Sequence, residues 1–219
     1  MRLSLYRRHF IATSLLAAVA GLSQAAKPPA SAHSPKTILI VGDSLSAEYG
    51  LKRGSGWVAL LEQRLKSEKI AATVINASIS GDTTAGGLSR LGPLLALHRP
   101  THVIIELGGN DALRGLSLKL TQDNLSQMTR SAQQAGARVL LVGMQVPPNY
   151  GQDYAARFAA VFKTVARTYQ AGLVPFLLKG VADAPNAAQL FQADRIHPRE
   201  DAHPVMLNNV WPELRKLLT

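Results

Sequence analysis

ILIVGDSLSAEYG (residues 38–50) decides the fold: four apolar residues run at strand length, stop in small and polar ones, and put Ser44 just past the stop. A run that is apolar throughout, rather than alternating, is covered on both faces, which is the pattern of a parallel sheet between helices. The pattern recurs down the chain. Apolar runs at 37–41, 72–77, 102–107, 138–142 and 173–176 alternate with segments of helical spacing at 57–69, 84–97, 119–135, 153–170 and 203–217, without internal repeats. Such alternation predicts an α/β domain of three layers, α/β/α, and for five strands the flavodoxin-like order 2-1-3-4-5. Right-handed crossovers put every strand's carboxyl end on one edge, and ligands sit there between strands one and three.

Outside this core the chain is simple. Residues 1–25 read as a signal peptide: Arg2, Arg7 and Arg8, then an apolar stretch too short to span a bilayer, then small residues and cleavage near Ala25. Arg7-Arg8 leaves Sec and twin-arginine export both open. Residues 26–36, rich in Pro, Ser and Ala, read as a linker, and 37–219 as the one domain. The expected location is therefore the periplasm or the medium. With no cysteine, disulfides and lipid acylation at cysteine are excluded. Removing Arg2, Arg7 and Arg8 lowers the formal charge from +10 to +7. Such a balance favours anionic surfaces, a membrane included, for transient contact. Without a basic run or interleaved aromatics, nucleic acid is not an expected partner.

On the predicted edge, strand one ends in Gly42-Asp43-Ser44, strand two in Ser80-Gly81-Asp82 and strand three in Gly108-Gly109-Asn110-Asp111. Acyl transfer needs a nucleophile, a base, an orienter for the base and donors for the oxyanion. Ser44 is the candidate nucleophile, and the Ser44 and Gly81 N–H groups with the Asn110 amide are candidate donors. Near the C-terminus, Asp194-Arg195-Ile196-His197-Pro198 offers a base and its orienter, since residues three apart in a helical turn share a face. Pro198 biases His197 away from helical angles. Singly, each of these is ordinary turn or cap chemistry. Together they are four separate turns that each present a residue type an acyl hydrolase requires.

Other features carry less. No G-x-S-x-G elbow surrounds Ser44, which disfavours the standard α/β-hydrolase. Gly54-Ser55-Gly56 follows no strand and is set aside as a dinucleotide loop. His98, His102 and His203 lack metal spacing and are expected at the surface or an interface. Glu106, an acid inside a strand, is expected to bond structurally to neighbouring loops.

GDSLS (42–46), the glycine of SISGDTT (78–84), GGND (108–111) and DRIH (194–197) occur in the order of the blocks of the SGNH, or GDSL, hydrolases, and the chain resembles that family over nearly all of its length after the leader. The resemblance implies the SGNH hydrolase fold and a serine esterase or thioesterase acting on fatty acyl esters, lysophospholipids and acyl thioesters, as a monomer without metal or cofactor. It implies Ser44, Asp194 and His197 as the catalytic triad, and Ser44, Gly81 and Asn110 as the oxyanion hole. Leu45, Gly109, Pro147, Tyr150 and Ile196 are the candidate substrate contacts, with 144–158 an acyl-binding wall or a rigid connector. Two departures from the family pattern stand out: Arg195, a positive charge beside the mouth, and Leu91-Gly92-Pro93 in place of Leu-Pro. A carbohydrate O-acetylesterase of the same fold and a non-catalytic envelope binding protein remain as alternatives.

Overall fold

In the computed structural model, which describes residues 35–219, five strands form one parallel sheet in the order β2-β1-β3-β4-β5. They are β1 (Lys36–Gly42), β2 (Ala72–Asn76), β3 (His102–Glu106), β4 (Arg138–Val142) and β5 (Gly172–Val174). The helices α1 (Trp57–Ser67) and α7 (His203–Leu218) pack together on one face. On the other lie α2 (Thr84–His98), α4 (Leu118–Gln134) and α5 (Gln152–Tyr169). This is the three-layer, doubly wound sandwich expected from the apolar runs. The predicted signal peptide and residues 26–34 of the linker lie outside the described residues, and Lys36, assigned to the linker, is the first residue of β1, paired with Ala72.

The strands are buried as their neighbours dictate. Ile38 to Val41 and Val103 to Ile105 are fully buried in the two central strands, each such side chain contributing about 1.5–3 kcal/mol. Coverage on both faces fails at β2, an edge strand whose Val74 and Ile75 are only half-buried. The last strand is shorter than expected because Pro175 has no N–H to extend the ladder. The chain leaves through Leu177, whose N–H returns to Gly143 O at 2.9 Å. Gly92 and Pro93 lie within α2 on its exposed side, while Leu91 is in the core.

Short elements escaped the periodicity: α3 (Gly109–Leu113), α6 (Ala187–Leu190), and 3-10 turns at Pro148–Tyr150 and Glu200–Ala202. The surface placement expected of His102 and His203 is also corrected. Both are buried, and burial lowers both imidazole pKa values. His203 Nδ1 accepts the Trp57 N–H at 2.9 Å and so caps α1, whose N-cap Gly56 has no side chain to do it. The other imidazole, His102, meets Leu217 O through Nε2 at 2.9 Å. His98 is half-buried in the last turn of α2.

Candidate active site

The edge formed by the strands' carboxyl ends brings together the turns predicted to converge. After Gly42 the chain turns sharply: Ser46 and Ala47 N–H groups return to Asp43 O at 3.2 and 2.9 Å, and the Leu45 N–H donates to Asp43 Oδ1 at 3.0 Å. Ser44 is held at the crest of this turn, half-buried. Its Oγ lies 2.8 Å from His197 Nε2, a residue 153 positions away, and His197 Nδ1 lies 2.7 Å from Asp194 Oδ2.

The loop carrying Asp194 and His197 is not the helical turn expected. Asp194 Oδ1 accepts both the Ile196 N–H at 2.9 Å and the His197 N–H at 3.0 Å, a side-chain-mediated turn that competes with helix. Arg195 between them takes a left-handed backbone, φ 57°, which breaks a helical path. The loop is closed at its base by an antiparallel bridge between Phe191 and Pro198, with Gln192 N–H on His197 O at 2.8 Å. It is clipped to the nucleophile turn by Gln192 Nε2, which donates to Tyr49 O at 2.9 Å. The Tyr49 ring packs 4.3 Å from the His197 ring centre.

Asp194 is held at a pKa of about 2, chiefly by its bond to His197 and then by the two backbone N–H groups. A carboxylate accepts only, so His197 Nδ1 carries the proton and donates it, leaving Nε2 with a lone pair toward the Ser44 hydroxyl. That is the tautomer a general base needs.

On the far side of Ser44, Gly81 sits at φ +78°, a conformation glycine takes without strain. Among the described residues neither the Ser44 nor the Gly81 N–H has a hydrogen-bond acceptor. The Asn110 amide differs from the open donor expected: Nδ2 gives its hydrogens to Asp43 Oδ2 at 3.0 Å and Asp82 O at 2.9 Å. Two arginines that carried no sequence signal brace these turns. Arg114 donates to Gly81 O at 2.7 Å. Arg90 pairs with Asp82 at 2.8 Å and also binds Ala77 O and Gly42 O, tying the ends of β1 and β2 to the Gly81 turn.

The five candidate substrate contacts divide. Leu45 is 7 % exposed and its side chain packs in the core, because the turn that lifts Ser44 points its neighbour inward. Gly109 is half-buried at the start of α3, Tyr150 half-buried, Pro147 exposed and Ile196 47 % exposed. Tyr150, Tyr154, Phe158 and Phe162 form a continuous aromatic file, with ring centres 6.1, 6.4 and 5.4 Å apart, running from the 144–158 segment into the core.

Similarity to known proteins follows the same residues. Residues 40–205 match the model of the GDSL-like lipase/acylhydrolase family. The chain is 51% identical over 183 residues to Esterase TesA of Pseudomonas aeruginosa, covering 84% of this chain and 90% of that protein. To Thioesterase 1/protease 1/lysophospholipase L1 of Escherichia coli K12 it is 40% identical over 187 residues, covering 85% and 87%. The crystal structure of the psychrotrophic esterase EstA from Pseudoalteromonas sp., inhibited by monoethylphosphonate, superposes with a TM-score of 0.78 at 40% identity, covering 84% of this chain and 98% of that one. Sheet order, the turn bearing Ser44 and the match across 40–205 agree, and the chain belongs to the GDSL-like lipase/acylhydrolase family of ester-hydrolysing enzymes.

Proposed function

We propose that the chain cleaves fatty acyl esters, acyl thioesters and lysophospholipids through an acyl-enzyme on Ser44, with His197 as base, Asp194 as its orienter, and Ser44, Gly81 and Asn110 as oxyanion donors. The observation that carries this reading is the 2.8 Å contact between Ser44 Oγ and His197 Nε2, backed by a carboxylate that sets the tautomer. As Ser44 Oγ bonds to the acyl carbon, its proton passes to His197 Nε2 and the carbonyl electrons move onto oxygen. The oxyanion takes the free Ser44 and Gly81 N–H groups, and Asn110 exchanges one of its two acceptors for the developing charge. His197 then protonates the leaving alkoxide or thiolate, and water enters by the reverse sequence.

Acyl substrates suit the rim. Tyr49, Ile79 and Ile196, on the loops of this edge, and Leu113, at the end of α3, are 50%, 53%, 47% and 46% exposed, apolar surface of the kind that marks a ligand or lipid contact. The relatives named as an esterase and as a thioesterase/lysophospholipase support the same substrate class. The basic leader and short apolar run support export and action in the periplasm, and because an exported enzyme seldom meets coenzyme A esters, these are surrogate substrates. Transient contact with anionic membrane and a monomeric state belong to the same proposal.

The test is a fluorophosphonate probe followed by peptide mapping, with p-nitrophenyl esters of graded chain length. The expected adduct is on Ser44, is lost in Ser44→Ala, and accompanies faster turnover of octanoate than acetate. A folded protein that stays unlabelled would overturn the reading, and strict acetate preference would move it to an O-acetylesterase.

A further inference from the structure

Glu106 ends β3 wholly buried, and acyl transfer gives it no part. Its Oε2 accepts from Ser46 Oγ at 2.7 Å and from the Asp43 N–H at 3.3 Å. Its Oε1 is buried and has no hydrogen-bond partner among the described residues. The Asp43 side chain, whose own backbone N–H meets Glu106 Oε2, is a close neighbour of the Glu106 carboxyl and is itself 2 % exposed. Both Asp43 oxygens are supplied with donors, Oδ1 by the Leu45 N–H and Oδ2 by the Asn110 amide, each at 3.0 Å. Among the described residues neither acid is paired with a lysine or arginine. The fold makes room for the contact: a Cβ on Gly42 would stand 2.9 Å from Glu106 Oε2 and 2.8 Å from Ser46 Oγ.

Two neighbouring buried carboxyl groups with no cation between them do not both ionise. The oxygen that lacks a donor marks which one keeps the proton. We propose that Glu106 is a neutral acid and a positioning residue, whose Oε1–H donates to the Asp43 carboxylate, so that the pair holds one proton and one negative charge beneath the nucleophile turn. Asp43, fixed from below, then orients the Leu45 N–H that shapes the Ser44 turn and the Asn110 amide beside it. Burial, followed by the charge of Asp43, pushes the Glu106 carboxyl well above its ordinary value. Burial raises Asp43 to about 6, against the Leu45 N–H, His197 and Asn110, which lower it, and Asp82, which raises it further. The effect on turnover rests on the acyl-enzyme reading above, while the protonation does not.

Glu106→Gln keeps the shape, the acceptor for Ser46 and a donor for Asp43. Urea unfolding of both proteins between about pH 5 and pH 9 separates the cases, since an unfolded Glu releases its proton above about pH 4.3 while a native neutral Glu106 does not. The wild type is then expected to lose stability relative to the Gln variant as pH rises, the ratio of unfolding constants changing by about tenfold per pH unit until native Glu106 ionises. The Gln variant is expected to keep kcat and KM within about threefold. Glu106→Leu, which removes the donor, is expected to lower kcat more than tenfold with a smaller change in KM. A pH-independent ratio of unfolding constants means an ionised Glu106 and overturns the proposal, as does a Gln variant with the Leu variant's kcat. Failure of the acyl-enzyme reading would appear separately, as an unlabelled Ser44 in a protein with an intact unfolding profile.

Discussion

Asp194→Asn isolates the tautomer from the scaffold, because the two carboxylate oxygens do different jobs. Oδ1 holds the loop through the Ile196 and His197 N–H groups, and Oδ2 takes the His197 Nδ1 proton. An asparagine satisfies the loop only with its carbonyl on the Oδ1 side, which directs its NH2 at Nδ1. His197 must then accept there, carry its proton on Nε2, and face Ser44 as a donor. Flipping the amide restores the tautomer but loses two backbone bonds at about 0.5–1.5 kcal/mol each. That leaves a minority of roughly a few per cent in the productive form. Loss of the correct tautomer in a serine protease triad lowers kcat by about 10⁴. The flipped minority limits this, so the expected fall in kcat lies between about 30-fold, where that minority turns over at the wild-type rate, and about 10⁴, where it does not turn over, or about 2–5.5 kcal/mol. Steady-state hydrolysis of a p-nitrophenyl octanoate measures it, and thermal unfolding near neutral pH should change little because the loop keeps its acceptor. Asp194 titrates at about 2 in the fold, below its unfolded value, so its stabilisation is present above about pH 3.9 and fades as pH falls through the folded value. The Asn variant lacks that acid slope, which solvent screening keeps shallow. A variant retaining more than about a tenth of wild-type kcat would refute the tautomer argument.

Gly81→Ala should cost activity through backbone strain rather than collision. The nearest atom to a new Cβ is Arg114 Nη2 at 3.7 Å, whereas a left-handed alanine costs roughly 1–2 kcal/mol. Turning the peptide to relieve it withdraws one donor, and kcat should fall by about 10² to 10³. Stopped-flow acylation at wild-type rate would contradict this. His203→Leu should do the opposite: the orphaned Trp57 N–H costs about 1–3 kcal/mol in urea unfolding with kcat unchanged, and an unaltered unfolding midpoint would dismiss the capping role.

The layers were legible because burial on both faces leaves a continuous apolar record, as in Ile38 to Val41. That record weakens where a strand has one neighbour, hence β2, and where Pro175 cuts the ladder short. Ser44, Asp194 and His197 could be singled out because each lies in a turn whose residue types limit the chemistry. What remained hidden depends on contacts between distant residues. The core packing of Leu45 was one such feature, since the direction a side chain takes within a turn is a backbone property. His102 and His203 gave no sign of burial, since their partners at Leu217 and Trp57 are 115 and 146 positions away. The bracing of Gly81 and Gly42 by Arg114 and Arg90 spans 33 and 48 positions and follows no short spacing.

The hairpin-like closure between Phe191 and Pro198 means that the imidazole and its carboxylate partner are carried on one self-closed loop, a cartridge set against the sheet. The gap to the hydroxyl is then the one coordinate left to set, and the Gln192 clip to Tyr49 is its latch. On the proposed mechanism, loosening that latch would slow turnover while the cartridge itself stays whole.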